Sequence, residues 1–223
     1  MVPTVQAVLR QVGWSVKSLD AVAVALGPGS FTGLRIGLAT ARTLAFAVGA
    51  KLFGVNTLQV IAVNACLAGD FGQTEKPHSG RLITAAVDAQ RGEVSAQTFW
   101  LTPSRHFAGD FYPEPIDERR LLSVSAWWAM ANDAALDYTG PILFKTAGAK
   151  PESVRLLDES LWLPRAVGVS RIAWERLLSG ESDDLMTMQP YYSRRSAAEE
   201  KKQGAGGEKF QESCHSSPPT PHD

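Results

Sequence analysis

The chain has 223 residues, 44% of them hydrophobic and 20% charged, which is an ordinary globular composition with enough length for one larger domain or two small lobes. With 22 basic and 23 acidic residues the net charge is −1, so no global field draws the chain to nucleic acid or to a membrane surface. Cys66 and Cys214 lie far apart, which excludes a disulfide framework, and no charged leader with an apolar stretch and no uncharged apolar run of about 18 residues occurs, so a cytoplasmic protein is expected.

Thr4 to Val12 places Val5, Val8, Leu9 and Val12 at helical spacing and closes at Gly13, which predicts a short amphipathic helix. Asp20 to Leu26 (DAVAVAL) alternates and then fills with small and branched apolar residues, as a strand covered on both faces does. Gly27 and Gly29 bracket Pro28, so the chain turns sharply there, and Ser30 offers an N-cap oxygen to a helix that runs to about Val48 and stops at Gly49. Such a junction aims free backbone N–H groups and the positive helix end at one point, an arrangement that binds phosphate in many folds. It is not a Walker loop, because Gly33 is followed by Leu34 and Arg35 rather than by Lys and Ser or Thr. A degenerate phosphate loop at Gly27, Gly29, Ser30 and Thr32 and a tight turn with no ligand both stay open.

Between Phe31 and Val48 the only charges are Arg35 and Arg42, seven apart and so nearly on one line, which leaves almost the whole circumference apolar. Gly33, Gly37, Ala41 and Ala45 form a ladder of small residues along which another helix can come close. One side of this helix covers its own sheet and the other needs a cover. It is therefore either buried within one lobe or part of a helix-bundle interface with a second chain, for which Gly33, Leu34, Gly37, Leu38, Ala41, Arg42 and Ala45 are the expected contacts. The two arginines exclude a membrane span.

Lys51 to Val55 predicts a strand, and Asn56 or Thr57 caps a helix from Leu58 to Leu67. Gly69 to Gly80 is a polar linker, which sets the expected division: an N-terminal lobe at 1–79, a C-terminal lobe at 80–195 and a polar, disordered tail at 196–223. The second half opens with Arg81 to Val87 and Glu93 to Trp100, two strands joined at Gly92 as a hairpin. Pro103 to Pro115 reads as loop with edge pairing, Ser123 or Ser125 starts a helix, Pro141 to Phe144 reads as a buried strand, and a last helix runs from a Ser170 cap to Gly180. The sum is an α/β protein with a mixed sheet.

Catalytic constellations are not found. His78, His106, His215 and His222 show no i, i+4 pairing, no Gly-x-Ser-x-Gly elbow occurs, and Ser30 has no histidine that sequence nominates as its base. Asp88 at a hairpin turn reads as a cap on its own backbone, and the Arg194–Arg195 doublet as a solvated face. No catalytic residue, metal or cofactor is assigned.

GPGSFTGLRIGLATARTLAF, VNTLQVIA, AAVDAQRGEVSAQTF and QPYYSRR resemble, in that order, motifs of the bacterial TsaB (YeaZ) proteins, in the glycoprotease-like branch of the actin, sugar kinase and Hsp70 fold. The resemblance covers most of Thr4 to Arg195. It implies an actin-like ATPase (ribonuclease H-like) two-lobe fold and a non-catalytic scaffold that stimulates a TsaD-like paralogue in making threonylcarbamoyladenosine on tRNA. In that family TsaD carries the metal-binding histidines and the nucleotide site, and the early helices form the heterodimer. The implied partners are TsaD, a TsaE-like ATPase reached through the complex, and tRNA only indirectly, with no membrane and no peptidase activity. Two other readings are an ATP-binding phosphotransferase of the sugar-kinase type, using Gly27 to Arg35, and a self-associating module that forms a homodimer. Family members begin with three strands that have no counterpart before Thr4, so the expectation is that Met1 is a misassigned start or that the chain is a fragment. Three such strands would bury roughly nine inward side chains at about 1.5–3 kcal/mol each.

Overall fold

The computed structural model describes residues 2–68, 81–107, 110–131 and 136–193. Expectations for the linker, the tail, His78, His215, His222, Arg194 and Arg195 fall outside these residues.

Helix α1 (Val2–Gln11) leads through a short 3-10 turn to strand β1 (Ala21–Gly27), which pairs in parallel with β2 (Lys51–Asn56) from Ala21↔Lys51 to Gly27↔Asn56. The crossover between them is α2 (Phe31–Val48), capped by Ser30 and ended by Gly49 in the left-handed conformation at φ 71°. Helix α3 (Thr57–Ala68) follows β2 directly. These five elements stand within a residue or two of their sequence expectations, because each is bounded by a cap or a glycine that acts locally.

The second sheet is built on the hairpin of β3 (Leu82–Gln90) and β4 (Glu93–Pro103). Strand β5 (Phe111–Pro115) pairs with the distal half of β4 and β6 (Arg120–Ser123) with its proximal half, while β7 (Leu136–Thr139) and β8 (Arg155–Leu156) extend the sheet in parallel beyond β3. Helix α4 (Val124–Met130) starts at the Ser123 cap, α5 is one turn (Leu143–Thr146), and α6 spans Ala166–Leu178. Asp137, buried on β7, is held by Arg81 and Arg155.

Two expectations are corrected. Pro141 to Phe144 is not a strand: Leu143 N donates to Gly140 O at 3.1 Å and Lys145 N to Ile142 O at 3.0 Å, so the segment winds into a turn and then α5. The strand lies just before it, at β7. A short apolar run does not reveal its own period, and Pro141 lacks the N–H that a central strand needs. Helix α6 starts four residues earlier than Ser170, since Arg165 is extended and its carbonyl already accepts from Val169 N at 3.2 Å. Ser170 sits inside the helix, where its hydroxyl donates to Val167 O at 2.8 Å.

The main core joins the two sheets. Phe53 and Val55 of β2, Ile61 and Val63 of α3, Ile83 and Ala85 of β3, Phe99 of β4 and Ile172 of α6 form one buried cluster. The opposite face of β3 and β4 carries Ala86, Val94 and Ala96 against Trp127, Trp128 and Tyr138, as the two-residue alternation of a strand requires. A third, smaller cluster packs Leu38, Ala41 and Ala45 of α2 on Leu52 of β2 and Met188.

Candidate partner-docking site

The glycine turn is shaped by the far end of the chain. Gly27 has φ +112° and a buried backbone, and a Cβ placed there would stand 2.3 Å from the Tyr191 carbonyl oxygen. Tyr191 N in turn donates to Leu26 O at 2.7 Å. From Met188 to Tyr192 the chain is fastened across the turn. Arg42 donates to the Met188 carbonyl, the Tyr192 ring lies 4.7 Å from Phe31, and the Arg119 guanidinium stacks 3.5 Å from the centre of the Tyr191 ring. Only a residue without a side chain tolerates both that φ and that approach. Gly29, Ser30 and Thr32 are exposed, and the Ser30 hydroxyl accepts from Gly33 N at 3.4 Å as a helix cap. A carbonyl oxygen aimed at Gly27 gives this side of the turn acceptor character, opposite to what a phosphate oxygen seeks.

On α2 the ladder of small residues is turned inward. Leu34, Gly37, Leu38, Ala41 and Ala45, expected to meet a partner, are buried within this chain. Arg42 is half-buried and spent on Met188, which leaves Gly33 as the one exposed member of the expected set. Small side chains let the helix lie close on β1 and β2, where Val22, Val24, Leu26 and Leu52 fill the space beneath it. The face turned outward carries Ile36, Ala39, Thr43 and Phe46 at helical spacing, with the exposed Arg35, four residues before Ala39, at its border. Phe46 is 81% exposed and Ile36 51%, unusual for side chains of their size, and Phe31 at the start of α2 is also exposed. Near them in sequence, Val8 of α1, Val12 and Trp14 are exposed too, while Leu9 is buried.

The sequence missed this stripe for a physical reason. A helix apolar on nearly every side lacks the contrast between faces that would say which stripe meets the sheet. The available signal was the Leu34, Leu38, Ala41, Ala45 spacing, which puts two leucines and two alanines on one narrow line.

The remaining polar candidates are structural in geometry. Asp88 accepts from Gln90 N at 2.7 Å and pairs with Lys145. The Lys145 hydrogen bond holds its carboxyl below the usual range. His106 meets Ser179, with 3.1 Å between Nε2 and Oγ. Burial pushes the Cys66 thiol up to about 12, far from reactive. Among the described residues no three His, Cys, Asp or Glu side chains come together as metal ligands, and no helix is long and apolar enough to cross a membrane.

Comparison with known proteins gives the following. The family model described as "TsaD: tRNA N6-adenosine threonylcarbamoyltransferase" matches residues 1–102. The chain is 29% identical to the tRNA threonylcarbamoyladenosine biosynthesis protein TsaB of Escherichia coli K12, over 92% of this chain and 83% of that one. It is 26% identical to the protein of the same name from Haemophilus influenzae, over 87% of this chain and 78% of that one. Its fold is similar to the solved structure titled "YeaZ from Pseudomonas aeruginosa", with TM-score 0.65 at 26% identity, covering 86% of this chain and 81% of the other.

Proposed function

Because the chain belongs to the TsaB/YeaZ family, we propose that it serves the biosynthesis of threonylcarbamoyladenosine on tRNA as a non-catalytic scaffold, holding a TsaD-type transferase on the outward face of α2. The observation that carries this reading is the exposed, largely apolar stripe of Ile36, Ala39, Thr43 and Phe46 on α2, bordered by Arg35, together with the exposure of Val8 on α1 and of Val12 just after it. Isolated apolar residues are common on protein surfaces, but a helical stripe with a phenylalanine four-fifths exposed is costly to leave in water and suits a partner helix. The two sheets are read as the parts of an actin-like fold that present this helix. The described residues receive no chemical step, and tRNA and a TsaE-like ATPase are reached through the partner.

The test is pull-down and titration with the TsaD protein of the same organism. Phe46→Glu is expected to weaken binding by at least about tenfold, or ~1.4 kcal/mol, with an unchanged circular dichroism spectrum. Unaltered affinity removes α2 as the docking face. Gly37→Glu is not a clean test, since Gly37 is buried in this chain. Light scattering of the isolated protein distinguishes the homodimer.

A further inference from the structure

The outer face of the second sheet holds a cavity that is separate from the docking face on α2. The alternation that places Ala86 and Ala96 against Trp127 also puts Leu82 and Thr84 of β3 and Thr98 of β4 on this face, farther along the strands. Helix α4 has seven residues, about 10 Å of helix, and so covers only part of β4, whose eleven residues span about 37 Å. A cavity of about 380 Å³ remains between helix and sheet, within the range of roughly 300–1,000 Å³ that small-molecule sites occupy.

Its walls are apolar and its mouth is polar. Leu82, Leu122, Leu136 and Met130 line the sides, and Trp127 and Tyr138, edge to face with ring centres 5.9 Å apart, add an aromatic surface. Trp127 is buried and stacks on the buried Trp128 at 4.2 Å, so this wall is preformed. The polar side chains include Thr84 and Thr98, whose hydroxyls are 3.1 Å apart, and Asp117 and Arg120, the two charged residues among the described residues that line the cavity.

The groups at the mouth have donation left to offer. One threonine hydroxyl donates to the other, which leaves one hydroxyl proton unspent. The acceptors are taken: Asp117 accepts from Thr98 N at 2.9 Å, and Gln97 accepts from Asn56 and donates to the Asp117 carbonyl, each at 2.7 Å. The Arg120 side chain is 47% exposed, and its pairing with Asp117 at 3.3 Å is longer than the roughly 2.7–2.9 Å of a charge-assisted bond. Such a pair costs little to loosen, and the planar fork of an arginine suits a carboxylate in two parallel bonds. We propose that this cavity is a binding site for small aromatic carboxylates, with the ring against Trp127, Tyr138 and the leucines and the carboxylate at Arg120. The proposal does not rest on the docking face of α2, and the two fail separately.

The probe is naphthalene-2-carboxylate, titrated into the isotope-labelled full chain, with naphthalene-2-carboxamide as the uncharged control. Saturable binding is expected with a Kd on the order of 0.1–1 mM, as about 13 heavy atoms allow, and with the carboxamide weaker. Nuclear magnetic resonance is expected to show the shifts at the Trp127 indole N–H and the Thr98 amide, with those of Trp14 and Trp174 unmoved. Arg120→Gln is expected to weaken the carboxylate at least about fivefold, to the level of the carboxamide, and to leave the carboxamide unchanged. Met130→Glu, at an exposed position, is expected to weaken both at least about tenfold. Shifts that do not saturate by about 5 mM overturn the proposal. So do shifts centred on Trp14 or Trp174, equal affinity of the unaltered protein for the two probes, and unchanged binding by either variant.

Discussion

Gly27 and Asp183 show how single residues near the candidate site are constrained by partners far along the chain. Gly27→Ala is expected to cost about 2 kcal/mol or more, because the new Cβ meets the Tyr191 carbonyl at 2.3 Å on a backbone already at φ +112°, and urea unfolding measures it. Asp183 is partly desolvated, which raises its pKa, but hydrogen bonds from Arg176 and from Gly54 N outweigh this and hold the carboxyl below its ordinary 3.8. Its contribution to stability is complete above the unfolded value and is lost as pH falls through the lowered folded value. Asp183→Asn is therefore expected to lower stability mainly at neutral pH, with the difference from the unaltered protein shrinking below about pH 4, which flattens the acid limb of a stability-versus-pH curve. Cys66, raised to about 12 by burial, is expected to resist iodoacetamide at pH near 8 in the native protein and to react on unfolding, measured in a Cys214→Ser background. Gly27 was legible in the sequence as a turn, but not as the seat of Tyr191, since nothing local announces a contact between residues so far apart.

At the level of elements, boundaries were more legible than faces. Ser30 and Gly49 mark α2 because a cap and a left-handed stop act within a turn of the helix. Gly49→Ala is expected to destabilise by about 1 kcal/mol, through backbone strain alone, since no neighbouring atom would meet its Cβ within 4 Å. The direction that α2 faces was not legible. Its ladder of small residues suits a helix or a sheet equally well, and the structure turns it onto β1 and β2. The strand at Leu136–Thr139 was missed for a related reason: four residues carry too little period, and the apolar run just after them is the stronger local signal.

For the molecule as a whole, the cluster joining β2 and α3 to β3, β4 and α6 makes residues 1–193 one compact unit. Unfolding is therefore expected as a single transition, with coincident midpoints by tryptophan fluorescence, reporting Trp127, Trp128 and Trp162, and by far-ultraviolet circular dichroism. Separate midpoints would mean that the two sheets unfold independently. Local sequence signals are enough for the mixed α/β class, the strand, turn and helix junction at Gly27 to Ser30, the hairpin around Gly92 and the motifs shared with the TsaB proteins. All of these rest on caps, turns and alternation that act over a few residues. Tertiary packing settles that the α2 ladder lies inward, that Tyr191 closes over Gly27, and that Asp183 covers the outer edge of β2. Those outcomes depend on which distant segments compete for the same apolar surface and the same backbone groups, and that competition is settled only when the whole chain is assembled.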